Sequence, residues 1–144
     1  MSAIGESVTA IDDGRSRASE SDEGPWVGIV DDDAALRRAL ARVLRGNGIR
    51  TETFGSAEDF LACVMTSEPA CIVVDVHLGG MSGFDLQDVL SLRPAAPPII
   101  FITAHDMLSH RAQASPASGF LRKPFDTNVL VALLRPHLCS PTSR

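Results

Sequence analysis

The sequence contains almost no lysine. Of its 13 basic residues only Lys123 is a lysine, and the rest are arginines. An ammonium group is a compact point charge that can reach a single anionic oxygen in a tight site, whereas a guanidinium is a larger planar fork. Lys123 precedes Pro124 at the end of a strand-like apolar run, so it is a candidate partner for a phosphate or a carboxylate. The competing interpretation is that Lys123 is a surface residue without a specific role. The positions of the acidic residues decide between these two interpretations.

Cysteine is also scarce. The three cysteines are Cys63, Cys71 and Cys139, an odd number without a CxxC pair. This pattern argues against a disulfide framework and against a zinc site. We expect free, buried thiols in a reducing cytosol.

Long apolar runs and signal sequences are absent. No run approaches the roughly 20 residues that span a bilayer, and the acidic start lacks the apolar stretch of a signal peptide. The formal net charge of −5 offers no basic surface for nucleic acid. No GxxxxGK[ST] loop is present, which excludes a P-loop nucleotidase. These absences predict a cytoplasmic protein with neither a membrane nor a nucleic-acid partner.

The chain divides into a leader, one domain and a short tail. Residues 1–24 hold six acidic and two basic residues with almost no apolar periodicity, so we predict a disordered acidic leader. Residues 25–139 are long enough for one domain with a sizeable core, since 44% of the sequence is hydrophobic. Residues 140–144 form the tail.

Short β-branched runs alternate with helical patterns from Trp26 onward. Strands are predicted at 26–30, 49–54, 71–74, 99–102 and 120–121. Helices are predicted around 36–44, 57–64, 84–90 and 129–134, and a weak one at 106–115. Pro136 should end or kink the last helix. This alternation predicts an α/β fold with a doubly wound, five-stranded parallel sheet.

Matched chemistry follows four of these strands. Asp31 and Asp32 follow the first strand, Asp75 the third, Thr103 the fourth and Lys123 the fifth. Parallel strands bring their carboxyl ends to one edge of the sheet, where ligands bind in such folds. Clustered carboxylates resist joint ionisation without a cation, and oxygen-only ligands suit Mg²⁺. Asp75 is then the natural nucleophile, because a carboxylate can form an acyl phosphate. Singly, each aspartate is also explained as a helix cap or a turn residue.

Five motifs follow one another in the order Ile29-Val30-Asp31-Asp32-Asp33, Val73-Val74-Asp75, Met81-Ser82-Gly83, Ile100-Phe101-Ile102-Thr103-Ala104 and Lys123-Pro124-Phe125. With these motifs the sequence resembles the receiver domain of two-component response regulators. The resemblance covers about residues 26–138 and implies a (βα)5 flavodoxin-like receiver fold. It implies that Asp75 accepts phosphate from a histidine kinase. It also implies Mg²⁺ bound by the side chains of Asp32 and Asp75, by the carbonyl of His77, and by Asp31 through water. The Lys123–Pro124 bond is implied to be cis.

The resemblance assigns further roles and leaves some questions open. Thr103, Lys123 and Phe120 are implied to form the phosphate-dependent switch, although Phe120 lacks a hydroxyl and is also explained as plain core. His77 and His105 are implied to line the mouth of the site. Gly79 stands where the family usually has proline, and the interval between Thr103 and Lys123 is about two residues short.

The sequence therefore predicts a stand-alone signalling receiver and not an enzyme with its own substrate. Its expected partners are a sensor histidine kinase or phosphotransfer protein and a downstream protein target. A pseudo-receiver that is never phosphorylated is the alternative. A phosphatase with an aspartyl nucleophile is disfavoured, because His77 stands where such enzymes generally place a second acid.

Overall fold

The computed structural model describes residues 24–64, 67–104 and 119–138. Within them the chain forms β1 (Trp26–Val30), α1 (Ala34–Gly46), β2 (Arg50–Phe54), α2 (Ala57–Val64), β3 (Cys71–Asp75), α3 (Gly83–Leu90), β4 (Ile99–Thr103), β5 (Gly119–Arg122) and α4 (Thr127–Leu138). The predictions for the leader, for the weak helix at 106–115, for His105 and for the tail lie outside these residues.

The five strands form one parallel sheet in the order β2-β1-β3-β4-β5. This is the strand order of the flavodoxin-like doubly wound fold. The direction of winding reverses between β1 and β3, so the carboxyl ends of these two strands flank the crevice where such folds bind ligands. The predicted fold class is confirmed.

The central strands are buried along their whole length. Every residue of β1, β3 and β4 is buried, as expected for parallel strands covered by helices on both faces. Alternate side chains supply two separate cores. Ile72 and Val74 pack with α2 and α3, whereas Cys71 and Val73 pack with α1 and α4. The sheet is therefore held between two pairs of helices.

The edge strand β2 differs from its prediction. The sequence predicts an alternating, half-buried strand at 49–54, but of the alternate residues Thr51 and Thr53 only Thr51 is buried. Ile49 is buried although the strand begins one residue after it. A strand with only one neighbour is not covered along its whole length, which accounts for the difference.

Helix ends follow local hydrogen bonding with one exception. Asp33 caps α1, and the Ser56 hydroxyl just before α2 accepts from the amide of Asp59. Pro136 does not end the last helix, which runs on to Leu138. Leu138 packs against the α1/α4 core beyond the proline, and we infer that this burial offsets the hydrogen bond that proline cannot make.

The described cysteines fit the thiol prediction. Cys71 is fully buried in β3 and Cys63 is partly buried, and neither of these two described cysteines is in a disulfide. Burial raises the pKa of the Cys71 thiol to about 12, so it stays protonated at neutral pH. Cys139 lies outside the described residues. In the part of the chain that the structure describes, no helix has the length and apolar character needed to cross a bilayer.

Helix α3 begins in direct contact with the end of β3. The loop between them is closed by a hydrogen bond from the Gly83 amide to the Val76 carbonyl, 2.9 Å. A Cβ atom on Gly83 would lie 2.6 Å from the carbonyl oxygen of Asp75 and 3.0 Å from Cα of Val76. Both contacts are with backbone, which cannot swing aside. The position therefore requires glycine for close approach.

We predict that Gly83→Ala destabilises the fold by about 1–3 kcal/mol, the usual cost of overpacking. Gly46→Ala is the matched control, because a Cβ there meets nothing within 4 Å. In the last residue of α1 alanine should be neutral or stabilise by up to about 1 kcal/mol. Urea unfolding measures both, and equal stability of the two variants would contradict the close approach at Gly83.

Candidate functional site

Asp31 occupies a fixed position just beyond β1. Its side chain is fully buried, and Oδ1 accepts from the amide of Asp33 at 2.8 Å. Its backbone carbonyl accepts from a guanidinium nitrogen of Arg37 at 2.7 Å, and its amide donates to the carbonyl of Phe54 at 3.1 Å. Burial raises the pKa of Asp31, although its partners partly oppose the shift.

Asp75 is the last residue of β3, on the strand next to β1. It is 6% exposed. Its Oδ1 accepts from the backbone amide of His77 at 2.9 Å, and its Oδ2 accepts from Nζ of Lys123 at 3.1 Å. Both oxygens are thus oriented by the protein, at the carboxyl edge of the sheet near its switch point.

Lys123 connects the two buried carboxylates. Its Nζ lies 3.1 Å from Oδ2 of Asp75 and 3.3 Å from Oδ2 of Asp31. Burial alone would lower the pKa of Lys123, but the hydrogen bond to Asp75 and the two negative charges together raise it. The ammonium therefore stays charged and holds the carboxylates together.

The backbone of Lys123 is hydrogen-bonded to the neighbouring strand β4. Its amide donates to the carbonyl of Thr103 at 2.7 Å. The Lys123–Pro124 peptide bond is cis. The Lys123 side chain thus reaches Asp75 from a backbone position that is fixed relative to the end of β4.

The cluster has the composition of a divalent-cation site. One carboxylate oxygen from each of Asp31, Asp32 and Asp75 lies within 4.8 Å of the others. Asp32 is exposed, so its carboxylate is open to water. Three carboxylates and one ammonium leave a formal charge of −2, which one divalent ion would neutralise. Oxygen donors with access to water fit Mg²⁺, and these three residues would hold it.

Thr103 and Phe120 lie on the strands beside the site. Thr103 is buried at the end of β4. The partly buried ring of Phe120 on β5 stacks on that of Phe101, with ring centroids 5.4 Å apart. The ring of Phe101 in turn lies against that of Phe84 in α3, with ring centroids 4.7 Å apart. A row of three rings therefore runs from β5 to α3, and Phe120 is not isolated from its neighbours.

The remaining assignments have mixed support. His77 is exposed, and its amide donates to the Asp75 carboxylate. The role of its carbonyl as a metal ligand stays a prediction.

Sequence reasoning missed the contact from Arg37 to Asp31 and the close approach of Gly83 to Asp75. It also missed the capping box of Ser82 and Asp85 that begins α3, although their S-x-x-D spacing was the available signal.

The family comparison covers most of the chain. The model of the response regulator receiver domain matches residues 27–135. Nodulation protein W of Bradyrhizobium diazoefficiens is 37% identical over 124 residues, which are 84% of this chain and 55% of that protein. Transcriptional regulatory protein FixJ of Azorhizobium caulinodans is 36% identical over 114 residues, 78% of this chain and 54% of that protein. The chain thus spans about half the length of these relatives.

Solved structures give the same result. A response regulator receiver protein from Burkholderia phymatum is 37% identical with a TM-score of 0.68, covering 81% of this chain and 98% of that one. The structure of FixJ-N is 31% identical with a TM-score of 0.73, covering 80% and 94%. The prediction of no nucleic-acid partner is not supported by the curated relatives, some of which are transcriptional regulators by name.

We predict that millimolar Mg²⁺ shifts the amide signals of Asp32, Asp75 and His77 in the ¹⁵N spectrum. Asp32→Asn should abolish these shifts, because it removes one charged oxygen ligand. Asp33→Asn is the matched control. Asp33 is an exposed neighbouring carboxylate whose cap role asparagine performs equally well. Loss of binding in both variants, or in neither, would contradict the assignment.

Proposed function

This chain belongs to the receiver domain family of response regulators, and we propose that it accepts a phosphoryl group on Asp75 and thereby changes a protein-binding face. The observation that carries the proposal is the contact of the Lys123 ammonium with Asp75 and Asp31. It leaves Asp75 oriented, next to a positive charge and at the carboxyl edge of the sheet. The two other aspartates complete a cation site around it.

Phosphoryl transfer follows from this geometry. An oxygen of Asp75 attacks phosphorus while the bond from phosphorus to the donor's leaving group breaks, and the leaving group departs with the electron pair. A bound Mg²⁺ would supply positive charge to the phosphoryl oxygens. Lys123 pairs with one of these oxygens, and the hydroxyl of Thr103 donates to another.

The switch acts through the strands that carry these two residues. Lys123 is tied by its amide to the carbonyl of Thr103, so movement of its side chain toward a phosphoryl oxygen is transmitted to the ends of β4 and β5. Phe120 lies on β5 and is stacked against Phe101. We propose that this ring responds by repacking, which shifts a two-state equilibrium of the surface around β5 and α4.

The finer assignments belong to the same proposal. The donor is a sensor histidine kinase or a phosphotransfer protein, the output is a downstream protein target, and the location is cytoplasmic. Residues 25–139 form the receiver, which catalyses at most its own phosphorylation and dephosphorylation. The stand-alone organisation stays a prediction.

A small-molecule phosphodonor such as acetyl phosphate, with Mg²⁺, should add the mass of one phosphoryl group to the intact chain. Asp75→Asn should abolish the addition, because the amide keeps the shape but is a poor nucleophile. Asp33→Asn should retain it. A wild-type chain that gains no mass under these conditions would support the pseudo-receiver instead.

Lys123→Arg should keep the fold and should still take up phosphate slowly. It should, however, impair the switch. Arginine preserves the charge, yet its planar fork cannot place one compact donor between two buried oxygens. Arg122→Lys, the reverse exchange at the exposed neighbouring position, is the control. The measurement is the phosphate-induced shift of Phe120 and its neighbours by NMR at matched phosphate occupancy. A full switch in Lys123→Arg would remove the special role of this lysine.

A further inference from the structure

One arginine of α1 reaches back to the loop that carries two of the cation-site carboxylates. Arg37 lies one turn into the helix, and its Nη1 donates to the backbone carbonyl of Asp31 at 2.7 Å. Helical side chains lean toward the N-terminus of their helix, so this reach is a natural one. Asp31 is buried directly after the end of β1, and a buried carbonyl needs a donor.

This contact holds the peptide group that leads into Asp32. The Asp31 carbonyl belongs to the same planar peptide group as the amide of Asp32. The following peptide group is held as well, because the Asp33 amide donates to Oδ1 of Asp31 at 2.8 Å. The backbone on both sides of Asp32 is therefore anchored, on one side by Arg37 and on the other by the Asp31 carboxylate.

The side chain of Asp32 depends on that backbone for its direction. It is exposed, and among residues 24–64, 67–104 and 119–138 no group donates a hydrogen bond to its carboxylate. Asp75, by contrast, has both of its oxygens held by donors of the protein. Of the three carboxylates in the cation cluster, that of Asp32 is thus the one that is aimed through its main chain.

The guanidinium of Arg37 is held between two backbone segments. A Cβ atom on Gly55, in the turn after β2, would lie 3.2 Å from the same Nη1 that donates to Asp31. In the part of the chain that the structure describes, no salt bridge involves Arg37. An ion pair with an acid therefore does not account for the position of this side chain, whereas the bond to the loop does.

We propose that Arg37 is a positioning residue of the cation site, because it holds the Asp31–Asp32 peptide group in the orientation that aims Asp32 at the ion. The inference rests on the proposed function, in which Asp31, Asp32 and Asp75 hold the cation. Arg37 acts through a backbone carbonyl and needs no contact with the ion. The competing interpretation is that the bond only satisfies a buried carbonyl, so that its loss would lower stability without changing affinity.

Charge and positioning predict opposite effects on Mg²⁺ binding. Arg37 is a cation near a cation site, so removal of its charge would by itself strengthen binding. Loss of a contact that orients a metal ligand weakens binding, typically by about 10–100-fold. A net loss of affinity on removal of a positive charge therefore identifies a positioning role.

The test measures the Mg²⁺ affinity of the full chain for Arg37→Met and for the control Arg38→Met. Methionine is also a long unbranched side chain, but it has neither the charge nor the donors. Arg38 is exposed and makes no described contact with the loop, so its substitution removes the same charge alone. Affinity is read by NMR from the amides of Asp75 and His77. We expect Kd to rise about tenfold in Arg37→Met and to stay equal or fall slightly in Arg38→Met.

The same titration with Ca²⁺ separates positioning from a general loss of the carboxylate cluster. Mg²⁺ demands nearly ideal octahedral geometry, whereas Ca²⁺ accepts irregular geometry. Arg37→Met should therefore lose more affinity for Mg²⁺ than for Ca²⁺.

Gly55→Ala is a second variant that keeps the charge of Arg37. Its Cβ would crowd the donating nitrogen, which must move by a few tenths of an ångström. We expect a smaller loss of Mg²⁺ affinity in the same direction. Gly46→Ala is its control, because a Cβ there meets nothing within 4 Å.

Unchanged or tighter Mg²⁺ binding by Arg37→Met would overturn the proposal, and so would equal losses in the two arginine variants or for the two ions. If Arg37→Met does not fold, Gly55→Ala decides, and an affinity equal to that of Gly46→Ala would contradict the proposal. A wild-type chain that binds no Mg²⁺ would overturn the cation site together with this role. Normal binding by both the wild type and Arg37→Met would overturn the role of Arg37 alone.

Discussion

The contact of one ammonium group with two buried carboxylates is the interaction on which the site depends. Asp31 is fully buried and Asp75 is 6% exposed, so neither carboxylate is well hydrated. Without Lys123 they would be two like charges in a region that disfavours either one. With it they share one counter-charge, and the Asp75 carboxylate is held in one orientation. Buried pairs are a poor source of stability, so we assign this one to positioning a nucleophile.

The fold supplies that contact from chain segments far apart in sequence. Asp31 and Lys123 are 92 residues apart and meet because β1, β3, β4 and β5 are parallel and end at one edge. Tight backbone contacts then fix the details: the amides of Asp33 and His77 orient the carboxylates. Gly83 lets α3 begin against Asp75. The buried part of the site is thus built directly on the central sheet.

Much of this arrangement is predictable from residues alone, because buried parallel strands are continuous apolar runs and their polar ends stand out. Asp31, Asp75, Thr103 and Lys123 were identified in this way. The contacts of Arg37 and Gly83 were not, since they depend on where helices settle against the sheet. The alternation predicted for 49–54 and the helix end considered at Pro136 differ from the structure for a related reason. Local pattern describes an average strand or helix, whereas the coverage of β2 and the packing of Leu138 are tertiary effects.

The central claim is that Asp75, rather than Asp31 or Asp32, carries the phosphoryl group. Borohydride reduces an acyl phosphate to the alcohol, which converts a phosphorylated aspartate into homoserine. Peptide mapping of the chain after treatment with acetyl phosphate, Mg²⁺ and borohydride measures this directly. The account predicts homoserine at position 75 alone. Homoserine at position 31 or 32, or at none of the three, would contradict it.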